Sequence, residues 1–221
     1  MKPVLFIVDM QKYYLWKNSD FHKYCTSHDS LAMTYINFRC NKIVIPNIQQ
    51  LLRVFRSASL PVFFLKLCSE KDDRSDLHLQ FQESHQHGKS MGFEDVYPAC
   101  TSPFAEIIDE LKPMPDETII CKSTFSPFTF TNIQEELSKK EIDTIFFTGL
   151  ATSQCVETTA RDASERGFRV IQVEDAQADY SETLHRVSLL SSKAVCGGEI
   201  YETNEICKLF SENQYQQIYN T

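Results

Sequence analysis

The chain has 221 residues, 42% hydrophobic and 24% charged, a balance that suits one globular core and excludes disorder, collagen and coiled coil. Lys and Arg number 22 against 30 Asp and Glu, so a net charge of −8 leaves no overall excess of cations to grip nucleic acid. Eight cysteines accompany no secretory leader and no apolar run near about 18 residues, which implies reduced thiols, a cytoplasmic setting and no membrane span.

The run Pro3 to Val8 is continuously apolar and stops at Asp9, as expected of a strand buried on both faces. Ile43 to Ala58 carries Ile48, Leu51, Leu52 and Phe55 at helical spacing. Pro61 to Leu67 forms a second strand, and Ile107 to Leu111 a short helix. Thr118 to Cys121 is the third strand, ending at Lys122, and Phe130 to Lys140 a helix with Ile133 and Leu137 on one side. Thr144 to Thr148 is the fourth strand, stopped by Gly149. A helix then runs from Ser153 to Arg166, with Gly167 as its left-handed terminator. Arg169 to Val173 is a fifth strand. Helices follow over Thr183 to Ala194 and Asn204 to Phe210, with a short strand at Glu199 to Tyr201 between them.

Strands alternating with helices predict an α/β fold of three layers: a mostly parallel sheet of five or six strands, with helices on both faces. Residues 1–221 read as a single domain, and the irregular, charged stretch 69–102 reads as an inserted lid. Ligands of such sheets bind beyond the carboxyl ends of the strands, so chemistry is sought there.

Three residues satisfy that test. Cys155 falls in the first turn of the helix after the fourth strand, with Thr152 or Ser153 as its N-cap, where the helix dipole favours a thiolate and free N–H groups could hold an oxyanion. Asp9 and Lys122 each end an apolar strand, and a parallel sheet brings both to the same edge as Cys155. A small buried hydrophobe is the alternative for Cys155, and a structural ion pair the alternative for Asp9 and Lys122.

The chain resembles the isochorismatase-like cysteine hydrolases. The resemblance covers nearly the whole chain and is carried by Val8-Asp9-Met10-Gln11, Lys122-Ser123-Thr124-Phe125-Ser126-Pro127-Phe128, and Gly149-Leu150-Ala151-Thr152 leading to Cys155-Val156-Glu157-Thr158-Thr159-Ala160-Arg161-Asp162-Ala163. It implies a Rossmann-like topology, a catalytic triad of Asp9, Lys122 and Cys155, and an oxyanion hole from the N–H groups of Ala151 and Cys155. It also implies a non-proline cis bond at Leu150–Ala151. The reaction implied is cleavage of a C–N bond in a small amide, ureide or carbamoyl compound, through a thioester on Cys155. Vinyl-ether hydrolysis and a catalytically idle binding module are the alternatives. The resemblance implies a small-molecule substrate and a homo-oligomer, and the charge balance and lack of a long apolar run leave no nucleic-acid or membrane partner expected.

Two departures narrow this reading. Nicotinamidases carry a metal-binding Asp-x-His after the second strand, whereas this chain has Lys66-Leu67-Cys68-Ser69-Glu70 there. No metal or other cofactor is therefore expected, and His85-Gln86-His87 fits no familiar zinc spacing. After Gln11 the chain continues Lys12-Tyr13-Tyr14, so Tyr14 takes the place of the aromatic that walls the pocket in relatives. Gln11, Tyr14 and Phe125 are the substrate-binding candidates. Trp16 and Phe128 either extend that wall or pack the loops, and Arg74 is a surface charge that could meet a carboxylate. The cysteines other than Cys155 show neither CxxC nor zinc spacing and are assigned to packing or surface.

Overall fold

The computed structural model describes residues 1–212, 214 and 215; the last part of the expected single domain, 213 and 216–221, lies outside them. Six strands form one sheet: β1 (Pro3–Val8), β2 (Val62–Leu67), β3 (Thr118–Lys122), β4 (Thr144–Leu150), β5 (Arg169–Ala178) and β6 (Glu199–Tyr201). Their order is β3-β2-β1-β4-β5-β6, and every pairing is parallel. The order reverses direction between β1 and β4, the switch point at which a crevice opens beyond the strand ends.

The apolar run of β1 is explained by burial on both faces. Leu5 and Ile7 point into one core with Ile48, Leu51, Leu52 and Phe55 of α4 (Ile45–Ser57) and Ile206 and Phe210 of α9 (Thr203–Ser211). Val4, Phe6 and Val8 point into the other, with Ile133 and Leu137 of α6 (Ile133–Lys139) and Ala160 and Ala163 of α7 (Glu157–Glu165). α8 (Glu182–Cys196) packs beside α7. Alternating side chains of one strand thus serve two cores, as the three-layer expectation requires.

Several boundaries differ from the sequence expectation. Residues 12–39 hold α1 (Lys12–Leu15), α2 (Asp20–His28) and α3 (Ser30–Arg39), which the apolar periodicity does not signal. A π-helical turn, Cys40–Val44, leads α3 into α4. β5 runs on past Val173 to Ala178 because a register shift between Phe147 and Gly149 of β4 lets the two strands resume pairing. The helix expected at Ile107–Leu111 is only a 3-10 turn at Asp109–Leu111, while Ile107 bridges to Gln11.

The stretch 69–102 is more ordered than its composition suggests. It contains α5 (Leu79–Ser90) and begins and ends on a disulfide between Cys68 and Cys100, whose Cα atoms are 4.9 Å apart. This corrects the expectation of unpaired thiols at both positions: a bridge between Ser69 and Ala99 brings together cysteines 32 residues apart. Among the described residues, no helix is long and apolar enough to cross a membrane.

Candidate active site

Asp9 follows β1 in the left-handed region, at φ 52, so its carboxylate turns back over the sheet edge instead of continuing the strand. Its N–H donates to Leu65 O at 3.0 Å and its carbonyl accepts from Gln11 N at 2.8 Å, which fixes that turn. Lys122 ends β3, two strands away, and its stem crosses the edge of β2 to reach the same point. The Lys122 Nζ donates to Asp9 Oδ2 at 2.9 Å, to Thr124 O at 3.1 Å and to Cys155 Sγ at 3.3 Å. One ammonium therefore ties together the three residues that the sequence singled out, and its three donors are all used.

Cys155 lies within a π-helical turn, Thr152–Val156, that precedes α7. No side chain of Thr152 or Ser153 caps that turn; instead Ser153 N–H donates to Asp179 Oδ2 at 2.6 Å, and Asp179 is fully buried after β5. Thr159 Oγ1 donates to Cys155 O at 2.5 Å, further fixing the turn. Gly149, at φ 102, makes the approach to it: a Cβ there would lie 2.1 Å from Val8 O. All peptide bonds among the described residues are trans, so the cis bond expected at Leu150–Ala151 is absent. Ala151 is in extended geometry at φ −84.

Burial dominates the electrostatics. Asp9 and Lys122 are each 1% exposed and Cys155 5%. Loss of water pushes the Asp9 carboxyl above its usual range, against the opposing pull of the Lys122 ammonium. Burial would lower Lys122, but Asp9 and Cys155 outweigh it and hold the ammonium charged. Burial and the neighbouring Asp9 carboxylate raise the Cys155 thiol, and Lys122 offsets them only in part. The shift runs opposite to the one expected of a helix start, with burial as its first cause. Asp9 Oδ1 is buried without a well-aligned donor, and the carboxylate lies within hydrogen-bonding reach of the Cys155 thiol.

The aromatic surround is richer than expected. Tyr13 is buried and Tyr97 and Tyr180 are partly buried, and each has its hydroxyl pKa raised, by loss of water first. Tyr14 is one step further out: its hydroxyl donates to Tyr180 Oη at 2.5 Å, and its ring packs on Phe21 at 4.8 Å. Phe125 lies between the site and the 69–102 segment, 4.5 Å from the Phe81 ring and 4.9 Å from that of His78. Gln11 is wholly buried. Its Nε2 donates to Leu67 O and Ala105 O, and its Oε1 accepts from Leu67 N at 2.7 Å, so it clamps two loops at the sheet edge.

Other candidates are occupied elsewhere. Arg74 donates to Tyr97 O at 2.8 Å and pairs with Asp95 at 2.9 Å. Trp16 is partly exposed and meets Phe104 edge-on, while Phe128 packs between Phe168 and Arg166. His85 Nδ1 accepts from Tyr97 N, whereas His87 Nδ1 meets Tyr24 Oη, so the two rings do not share a ligand position. A cavity of about 660 Å³ lies at the opposite end of the sheet, beside Pro3, Arg56 and Met114, and holds none of the trio.

The missing residues left a faint trace in the sequence. Asp179 follows an apolar strand end as Asp9 does, but β5 seemed to finish five residues earlier. Tyr13, Tyr97 and Tyr180 come from three distant segments, and nothing local marks them as a group.

Comparison with known proteins agrees with this geometry. Residues 3–205 match the model of the isochorismatase domain. Nicotinamidase 3 of Arabidopsis thaliana is 31% identical over 153 residues, 68% of this chain and 71% of that protein. N-carbamoylsarcosine amidase of an Arthrobacter species is 31% identical over 132 residues, 58% of this chain and 47% of the relative. A solved cysteine hydrolase from Pseudomonas syringae pv. phaseolicola superposes with TM-score 0.74 at 25% identity, covering 96% of this chain and 93% of the other. A match that spans six strands and all three residues of the buried trio makes the chain a hydrolase and a member of the isochorismatase family.

Proposed function

We propose that the protein hydrolyses a C–N bond of a small amide, ureide or carbamoyl compound through a covalent thioester on Cys155. The observation that carries this reading is the single buried ammonium shared by Asp9 Oδ2 and Cys155 Sγ. Asp9 takes the thiol proton as Cys155 Sγ bonds to the substrate's carbonyl carbon, and Lys122 balances the charge that passes between them. The N–H groups of Ala151 and Cys155 receive the carbonyl oxygen as it becomes an oxyanion. Collapse breaks the C–N bond, and Asp9 returns the proton to the departing nitrogen. A water then gives its proton to Asp9, adds to the thioester carbon and releases the acid, restoring the thiol.

The buried Asp9 carboxylate, within hydrogen-bonding reach of the Cys155 thiol, supports this reading, because it offers an acceptor for each of those protons. The amidase names of relatives such as N-carbamoylsarcosine amidase and ureidoacrylate amidohydrolase favour C–N over ether cleavage. Tyr14 and Phe125 shape an aromatic pocket for a planar or small apolar substrate, Gln11 supports it from behind, and residues 69–102 serve as the lid. Intact-mass spectrometry with a panel of small amides and ureides tests the proposal. A transient acyl adduct on the wild type, absent from Cys155→Ala, is the expected result. Turnover without any adduct would favour ether chemistry, and undiminished turnover by Cys155→Ala would end the thioester mechanism.

A further inference from the structure

Three sulfurs meet outside the catalytic trio. Cys68 follows β2, Cys121 is on the edge strand β3, and Cys100 closes the 69–102 segment; their Sγ atoms all lie within 4.8 Å of one another. Cys68 and Cys100 are joined, while Cys121 is free and exposed. Cys121 and Lys122 are consecutive in a strand, so their side chains point to opposite sides of it.

The positions of these sulfurs do not depend on the bond between two of them. Ser69 N–H donates to Pro98 O at 3.0 Å and Cys100 N–H to Ser69 O at 2.8 Å, while Cys68 N–H donates to Lys122 O at 3.1 Å. Main-chain hydrogen bonds therefore hold all three cysteine backbones, and opening the disulfide leaves three thiols facing each other. A cleft of about 470 Å³, lined also by Glu70, Asp76 and Lys122, opens onto Cys68 and Cys121. Lys66, the register partner of Cys121, is buried and paired with Glu106 at 2.9 Å.

We propose that Cys68, Cys100 and Cys121 form a thiolate site for a soft divalent cation of the zinc and cadmium class, an alternative to the Cys68–Cys100 disulfide. Three Cys ligands suit such an ion, with water from the cleft as the fourth. Occupancy requires two electrons. A phosphine and one water convert the disulfide to two thiols and phosphine oxide, and in a cell a dithiol does so by becoming a disulfide itself. The cation then displaces three thiol protons as three metal–sulfur bonds form. This inference is independent of the substrate reading above.

The test uses the full chain, reduced with a phosphine, freed of excess reagent under nitrogen and titrated with cadmium. Ultraviolet thiolate-to-cadmium absorption should saturate at one ion per chain, with three protons released. Cadmium should also raise the thermal midpoint of the reduced protein. Cys121→Ser leaves the disulfide intact, so its fold can be checked before reduction; its cadmium affinity should fall at least about tenfold. No saturable absorption in the reduced chain, or unchanged affinity in Cys121→Ser, overturns the proposal. So does equally tight binding by the untreated, disulfide-bonded chain.

Discussion

A carboxylate with a raised pKa and a lysine that stays charged are a pair made for moving protons, and each single residue of the site can be probed on that basis. Asp9 has to be ionised to accept a proton. Because burial raises its pKa, activity should vanish as pH falls through a value above 3.8, the ordinary aspartate value, and return as pH rises. A kcat/KM profile whose acid limb lies at or below that value would contradict this. The Cys155 thiol is raised as well, so iodoacetamide should label it more slowly than a free thiol at neutral pH and faster as pH rises. Gly149→Ala places a methyl 2.1 Å from Val8 O at a positive φ, so we expect a loss of about 3 kcal/mol or more, read by denaturant titration. Asp9, Lys122 and Cys155 were legible because each interrupts or follows an apolar strand. The sign of the Cys155 shift was not legible, because desolvation depends on how deeply the folded chain buries the thiol.

At the scale of elements, strands announced themselves and several helices did not. β1, β2 and β4 read directly from their apolar runs because all their residues are buried, whereas the edge strand β3 leaves Ile119 and Cys121 exposed. α5 escaped because its buried residues, Phe81, His85 and Gly88, have helical spacing but only one is a large apolar side chain. Gly88 is required there by contact: a Cβ would lie 2.3 Å from Val96 Cγ2. Gln11 likewise looks like a pocket residue in sequence, yet it joins the segment after β1 to the end of β2. Gln11→Ala would leave buried backbone groups of Leu67 and Ala105 without partners, at a cost of about 1–3 kcal/mol each. Thermal unfolding should register that loss.

Taken whole, the molecule closes its chemistry off from water, since all three members of the trio are almost completely buried. On the proposed lid role of 69–102, substrate enters when that segment moves at its contact with Phe125. Phe81→Ala removes that contact and should speed Cys155 alkylation several-fold; an unchanged rate would point to a different door. The sheet order has a further consequence, for biosynthesis. β1 is made first, yet its flanking partners are β2, which starts at Val62, and β4, which starts at Thr144. Its six buried residues must wait on the ribosome for most of the chain before their second neighbour exists. Such distant pairing slows folding and leaves an aggregation-prone edge exposed. Nascent chains stopped short of β4 should depend on chaperones and resist protease poorly, and protection should appear only once residue 150 has cleared the exit tunnel.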